Sequence, residues 1–498
     1  MSENNLSRRK FVALGGSAAA FAAVAGLAGC TSGSASGSAS ASASSASASA
    51  SASSAAASKS AAAKSVETDL ASMTWDEIVA AAKGTDVTFL AWGAGGADPY
   101  VQQWWEHLTE DVKKKYDINL TCVEQDQAET QKLTTDIESK LDATYDLFWG
   151  LGSAMAPLRK VNGLWGGNKW LEKLDNYKYL DPTNNFVTFD GSVDINGEEV
   201  PFQGLNPSLV CSGDKWNPAL AWNASEGNVK GLFHNFSELA EWVKANPGQF
   251  TYMNPTGAGA FHSMSFFKEA LCELTSDGNG GWKPVYDEGD DAATRRKKIQ
   301  AQIDDWYKWG TSSEASEAAF IEKADYLWAF LNEIAPNLKQ GDNGAMYPET
   351  APEMREYVNA GELACVFTTC TQVSNRVADG PQNYPANPAI YMLDTTVGSW
   401  DYAIITANSK NKAGAMVVAN EMIDPQQQLF AFETTGNGYN IAPAKAGADV
   451  EKAFADAVKG MGALTSSVED IAQKSYTDKF GPIAAFLPAG WTQKVAAK

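Results

Sequence analysis

The chain has 498 residues, 44% of them apolar and 11% aromatic, and a formal charge of −21 at pH 7. That acidity argues against nucleic acid as a partner, because phosphate binding needs a basic face. Six cysteines and three histidines, in no ligand-like spacing, give no sign of a disulfide framework, a metal site or a cofactor.

The first segment reads as an address. Arg8 and Arg9 precede Lys10-Phe11-Val12, an Ala/Gly-rich apolar run follows, and Leu27-Ala28-Gly29-Cys30 closes it. A basic head, an apolar middle and a small-residue cleavage site make residues 1–29 a twin-arginine-type lipoprotein signal peptide, of the kind that exports folded proteins. Leu27 to Cys30 resembles a lipobox, in which Cys30 is acylated and becomes the new N-terminus. An uncleaved anchor is the competing reading, but a membrane span needs about 20 strongly apolar residues and this run is mostly Ala and Gly. Residues 30–65 are then the lipidated cysteine and a disordered Ser/Ala tether, with an end-to-end distance of roughly 30–35 Å.

Without residues 1–29 the chain keeps 36 basic and 59 acidic side chains, a charge of −23. Beyond the tether about 430 residues remain, more than one core usually serves, so two lobes are expected. Thr74 caps a short helix, with Glu77 completing a capping box. Val87 to Trp92 is an apolar strand, Gly93 to Ala97 a loop, and Asp98 and Pro99 open a helix with Val101, Trp105, Leu108 and Val112 on one face. Ile118 to Val123 alternates as a strand, Leu133, Ile137 and Leu141 mark a second helix, and Asp146 to Trp149 is a third strand. This βαβαβ order predicts a doubly wound sheet.

A second set of elements, with no internal repeat, follows a turn-rich stretch at 184–218. A helix is expected at Phe236 to Lys244, a strand at Phe250 to Pro255, and a helix from Thr256-Gly257 through Leu274. Asp277 to Asp291 reads as a surface loop and Trp306 to Ile334 as helix. Strands follow at Leu363 to Phe367, Ala389 to Leu393 and Gly398 to Ile405, with a helix containing Val373 and Val377 between the first two and another at Lys412 to Ile423. The organisation expected is lobe 1 at 74–203, lobe 2 at 204–396, a return to lobe 1 at 397–435 and a C-terminal helical segment at 436–498. Ligands in such sheets bind outside the carboxyl ends of strands.

Motifs for chemistry are sparse. Gly93-Ala94-Gly95-Gly96 follows a strand, but Asp98 stands where a dinucleotide fingerprint needs glycine, so the loop is either a close approach to a ligand or a tight turn. His107, His234 and His262 fall in no catalytic pattern; His107 is expected on a solvated helix face, and His262 near the cleft. Cys122, Cys211, Cys272, Cys365 and Cys370 read as buried thiols. Trp92, Trp149 and Trp400 end or follow strands, where an indole can stack on a ring, sugar or cation or simply pack. Thr256 with Gly257, and Thr369 with Thr371, stand at helix starts, where they can hold an anionic or carbonyl oxygen or act as caps.

Several blocks in order resemble one family. They are Thr88-Phe89-Leu90-Ala91-Trp92-Gly93, Tyr145 to Gly150, Gly163-Leu164-Trp165-Gly166, Pro255 to Phe261, Ala360-Gly361-Glu362-Leu363, Val397-Gly398, and Ala413 to Asn420 followed by Pro425 and Gln428. The chain is similar to the extracellular solute-binding lipoproteins of ATP-binding-cassette importers, in the family 1, YnjB-like group. The resemblance implies an α/β, two-lobe periplasmic-binding-protein-like fold of type II, with hinged lobes and mixed, mostly parallel sheets. It implies a monomer that closes over a small-molecule solute and delivers it to an ABC permease with a cytoplasmic ATPase, held at the extracytoplasmic face of the cell membrane by its N-terminal lipid. The family's pocket segments fall here on Trp92, Gly93 and Gly95; on Trp149, Gly152 and Ser153; on Gln203 and Asn206; on Thr256 and Gly257; on Thr369 and Thr371; and on Trp400. A secreted enzyme on the same fold, or a surface ligand sensor or adhesin, is the alternative, because fold alone does not fix function.

Overall fold

A computed structural model describes residue 70 and residues 72–96, 99–150, 156–166, 169–180, 187–190, 193–205, 208–212, 233–257, 260–368, 388–460 and 474–497. The expected signal, Cys30, the tether, the Asp98 cap, Cys370 and the helix of Val373 and Val377 lie outside the described residues.

Helix α1 (Trp75–Ala82) starts as its spacing predicts. Thr74 Oγ1 accepts the Glu77 N–H at 3.4 Å, and the Glu77 carboxylate accepts the Thr74 N–H at 2.8 Å. Strand β1 (Asp86–Ala91), helix α2 (Pro99–Tyr116), strand β2 (Asn119–Glu124), helix α3 (Gln127–Glu138) and strand β3 (Leu147–Gly150) then form the expected βαβαβ unit. Strand β1 lies between β2 and β3 and pairs in parallel with both. Helix α2 buries Val101, Trp104, Trp105, Leu108 and Val112, the stripe that a 3.6-residue period requires. Helix α3 is shorter than the Leu133, Ile137 and Leu141 spacing suggests. It ends before Lys140, whose φ of 54° is left-handed and breaks the helix, so that Leu141 is 53% exposed.

The chain next runs through β4 (Glu199–Leu205) and β5 (Ser208–Ser212) and, after helix α4 (Ala260–Glu273), through β6 (Cys365–Thr368), β7 (Pro388–Tyr391), β8 (Thr396–Ile405) and β9 (Ser475–Thr477). Strand β8 pairs antiparallel with β3 and β4, and its first residues pair in parallel with β9. Strand β5 pairs antiparallel with both β6 and β7. Parallel pairing of successive strands is thus concentrated in the first sheet.

Two hydrophobic cores divide the molecule. One holds side chains from Leu70 to Phe202 and from Trp400 to Phe454; the other holds Leu209 to Val397 and Tyr476 to Val495. The chain therefore passes from one lobe to the other between β4 and β5, again within β8 between Val397 and Trp400, and a third time between Phe454 and Tyr476. Two buried carboxylates of α4 brace lobe 2, and the first of them reaches the crossing strand. Glu269 accepts the Val397 N–H at 3.0 Å, and Glu273 accepts the Phe236 N–H at 2.9 Å and the Tyr286 hydroxyl at 3.1 Å. Burial raises Glu269 well above the carboxylate range and Glu273 to about 7.

Several local expectations need correction. Phe250 to Pro255 forms no strand, because its polar groups are answered from distant loops: Phe250 O accepts the Lys339 N–H, and Asn254 N–H donates to Pro348 O. The expected surface loop at 277–291 is preceded and partly occupied by a hairpin, Leu274–Ser276 against Trp282–Pro284, whose turn is fixed by Asp277 accepting the N–H groups of Asn279 and Gly281. The expected helix at 306–334 is three, Ala292–Gly310, Glu317–Lys323 and Asp325–Ile334. His107 is half-buried rather than solvated, stacked at 3.8 Å on Phe430 and 3.2 Å from the Gln427 amide oxygen. Cys272 and Cys365 are buried free thiols, and burial raises the free Cys122 thiol to about 12. Among the described residues no helix is long and apolar enough to cross a membrane.

Candidate functional site

The candidate site is built where the strands pass between the lobes. Strand β1 delivers Trp92 and Gly93 at its carboxyl end, strand β3 delivers Trp149, and the antiparallel pair β4 and β8 delivers Gln203 opposite Asp401 and Gly204 opposite Trp400. Of the residues expected from the sequence, the structure gathers Trp92, Gly93, Gly95, Trp149, Gln203 and Trp400 at this end of lobe 1. Thr256 and Gly257 belong to lobe 2, at the entry to α4. Gly152, Ser153, Asn206, Thr369 and Thr371 lie outside the described residues.

The Trp92 indole is half-buried and meets Trp149 edge-on at 5.7 Å. Trp149 is 6% exposed and in turn meets Trp105 at 5.6 Å and Phe202 at 5.2 Å, both edge-on. Edge-to-face packing of this kind is stabilising and fixes ring orientation. The Trp105 indole N–H donates to Trp92 O at 2.9 Å, tying α2 to the loop after β1. Trp400 is 9% exposed, and its ring covers Gly204 so closely that a Cβ there would fall 2.9 Å from two ring carbons. Gly204 also exchanges backbone hydrogen bonds with Gly438 at 2.8 and 2.9 Å, so it is held on both sides.

The glycine loop after β1 already holds an anion, and that anion is the chain's own. Gly93 N–H donates to Glu124 Oε1 at 3.1 Å and Gly95 N–H to Glu124 Oε2 at 2.5 Å. A Cβ on Gly95 would stand 2.9 Å from Glu124 Cβ, which is why the loop needs glycine there. In lobe 2 the donors of Thr256 are likewise committed. Its N–H and hydroxyl reach Asn254 Oδ1 at 2.9 and 2.8 Å, while the Asn254 amide donates to Glu349 at 2.8 Å and Glu349 fills the space beside Gly257.

Sequence reasoning missed Glu124, Asp401 and Gln125. Asp401 is fully buried, and its carboxyl is pushed up to about 8 by desolvation, against the pull of hydrogen bonds from Trp149 and Gln203. Gln203 Nε2 donates to Asp401 Oδ2 at 2.8 Å. Gln125 is buried at the end of β2 and donates to Trp149 O at 3.2 Å. Among the described residues no three metal-ligating side chains cluster. What the site assembles is indole faces, amides and a buried carboxyl, a set suited to contact and hydrogen bonding.

No family model matches the chain. Over 362 residues, 71% of this chain and 79% of its counterpart, it is 27% identical to Protein YnjB of Escherichia coli strain K12. The chain is a sequence relative of YnjB. An ABC transporter substrate-binding protein from Bradyrhizobium japonicum USDA 110 superposes with a TM-score of 0.49 at 14% identity, over 82% of this chain and 99% of that one. The binding protein MotA from A. tumefaciens B6, in complex with glucopine, gives 0.48 at 14% over 82% and 98%. The alignment with YnjB is long enough to take in both hydrophobic cores in part, so the YnjB likeness extends beyond one lobe.

Proposed function

We propose that this chain is an extracellular substrate-binding lipoprotein, which captures a small solute between its lobes and delivers it to an ABC-type import permease. The observation that carries the reading is strand β8, continuous through both cores, with Val397 in one and Trp400 in the other. Passages of this kind let two lobes move against each other, and the indole, amide and glycine groups stand where they would close on a solute. Similarity to YnjB supports the same reading. The chain acts as a receptor and not as a catalyst.

Within this reading the contacting groups in lobe 1 are Trp92, Gly93, Gly95, Trp149, Gln203 and Trp400, to which the family resemblance adds Gly152, Ser153 and Asn206. From lobe 2 the same reading assigns Thr256 and Gly257 to the solute, and the family resemblance adds Thr369 and Thr371. Cys30 carries the lipid, and the Ser/Ala tether keeps a mobile body near its permease.

The deciding experiment is a thermal-shift screen of the chain against small metabolites, followed by uptake of the hit in cells with and without the protein. A ligand at 100 times its dissociation constant adds about 2.7 kcal/mol of stability. A hit whose uptake requires the chain supports the proposal. A hit that is chemically turned over instead returns the secreted-enzyme reading.

A further inference from the structure

Beside the crossing strands, β4 and the segment 435–439 line a narrow crevice, no part of it wide enough for a water molecule. Its polar lining includes Gln203 and Asn437, its walls include Phe202 and Phe432, and none of its lining residues is charged. Asn437 is 2% exposed and Gln203 3%. Both side-chain polar atoms of Asn437, and Oε1 of Gln203, lack a hydrogen-bond partner among the described residues. Trp104 lines the same crevice, and its buried indole Nε1 also lacks a partner among the described residues. Buried polar atoms are nearly always paired, so four unanswered ones at a single crevice require an explanation.

The backbone holds these amides where they are. Asn437 follows Gly436, whose left-handed φ of 73° ends the preceding helix, and its N–H donates to Thr435 Oγ1 at 3.1 Å. Gly438 is bridged to Gly204. The Nε2 of Gln203 is committed to Asp401, which leaves Oε1 as its remaining hydrogen-bonding atom. The crevice thus presents two donors, Asn437 Nδ2 and Trp104 Nε1, and two acceptors, with no charged residue in its own lining.

We propose that Asn437 and Gln203 form a buried subsite for an uncharged polar group of the solute, a carboxamide or hydroxyl with a donor beside an acceptor. The subsite rests on the solute-binding reading and requires the segment 435–439 to part from β4, both within lobe 1. A carboxylate has no donor for the two amide oxygens, an ammonium has no acceptor for Asn437 Nδ2, and neither ion finds a counterion in this lining. A neutral group that carries both a donor and an acceptor answers both kinds of atom.

The probe is acetamide, compared with acetate and methylammonium at matched concentration and ionic strength, by thermal unfolding of the full-length chain. Acetamide should raise the midpoint of the parent relative to both ions. Asn437→Leu, close in volume, should melt at or above the parent and lose the acetamide-specific rise; Gln203→Met should lose part of it. An equal rise in the parent and in Asn437→Leu, or no rise in the parent, overturns the proposal. Crystals soaked in acetamide give a second readout: the molecule bound at Asn437 Nδ2 supports the subsite, and its binding elsewhere alone removes it. Once a solute is found, Asn437→Leu should weaken it by about tenfold or more. An unchanged affinity refutes the subsite and leaves transport standing, whereas acetamide at Asn437 with no solute from the metabolite screen does the reverse.

Discussion

Gln203 on β4 donates its side-chain amide to the Asp401 carboxyl on β8 at 2.8 Å, joining the two paired strands on which the chain passes between its lobes. The bond lies in a fully buried setting, on the lobe 1 side of the passage. Its chemistry is therefore that of an acid held out of water, and its titration acts on the strands that join the two cores.

The first prediction concerns pH. Asp401 has an ordinary value of 3.8 and sits at about 8 in the folded chain. The folded state keeps a proton that the unfolded state gives up, so this contribution is complete below about pH 4 and is lost as pH rises toward 8. Glu273, at about 7 in the folded chain, acts in the same direction over a range that ends lower. The thermal midpoint should fall by several degrees from pH 5 to pH 8, since about 1 kcal/mol moves a lobe-sized unit by roughly 2–4 °C. Asp401→Asn, which keeps an acceptor for Gln203, should flatten the slope; a slope unaltered in Asp401→Asn and Glu273→Gln assigns it to other groups.

Trp92 and Trp400 should separate by readout. Trp400 is 9% exposed and packed on Gly204, so Trp400→Ala leaves a cavity and should cost about 3–5 kcal/mol of stability. Trp92 is half-buried with one edge on Trp149, so Trp92→Ala should cost less stability and more affinity for the solute. Denaturant unfolding and ligand titration of both variants check this. Equal stability losses would place Trp92 in the packing.

The lobe 1 scaffold could be read from local signals, because each of its early elements is specified within its own stretch: the Thr74 and Glu77 capping box, the apolar run of β1, and the one-sided stripe of α2. Pairings within the candidate site were less legible for a physical reason, although Gln203 itself is named through the family resemblance. Gln203 and Asp401 are 198 positions apart, and neither stands in a motif; only the pairing of β4 with β8 makes an amide and a carboxyl into one unit. Phe250 to Pro255 failed in the other direction, since its apolar residues fit a strand while its hydrogen bonds run to loops. One signal was available for the crevice: Gly436-Asn437-Gly438, directly after a helix, is a turn pattern that puts an amide on a constrained backbone.

Gly204→Ala tests how tightly the passage is built. The added Cβ would fall 2.9 Å from the Trp400 ring while the backbone stays bridged to Gly438, so neither neighbour yields without displacing the other. Overpacking of this kind costs about 1–3 kcal/mol. Trp400→Leu in the same chain should recover part of the loss, because the branched side chain leaves the Cβ room. A double-mutant cycle on thermal unfolding measures the recovery, and additive losses would mean that the two residues do not share the space.

Glu124 gives the sharpest test of the glycine loop. Its carboxylate takes the N–H groups of both Gly93 and Gly95, bonds to a charged acceptor that are individually stronger than neutral ones. Glu124→Ala frees two converging donors close before the start of α2, an arrangement that favours anions. The variant should lose about 1–3 kcal/mol in low-salt buffer lacking multivalent anions. Inorganic phosphate should then restore part of its midpoint while leaving the parent unchanged, because in the parent the position is taken. Glu124→Gln should fall between them, keeping an acceptor oxygen but not the charge. If phosphate stabilises parent and Glu124→Ala alike, the loop donors are not what Glu124 occupies in solution, and the carboxylate's role is confined to packing against Gly95.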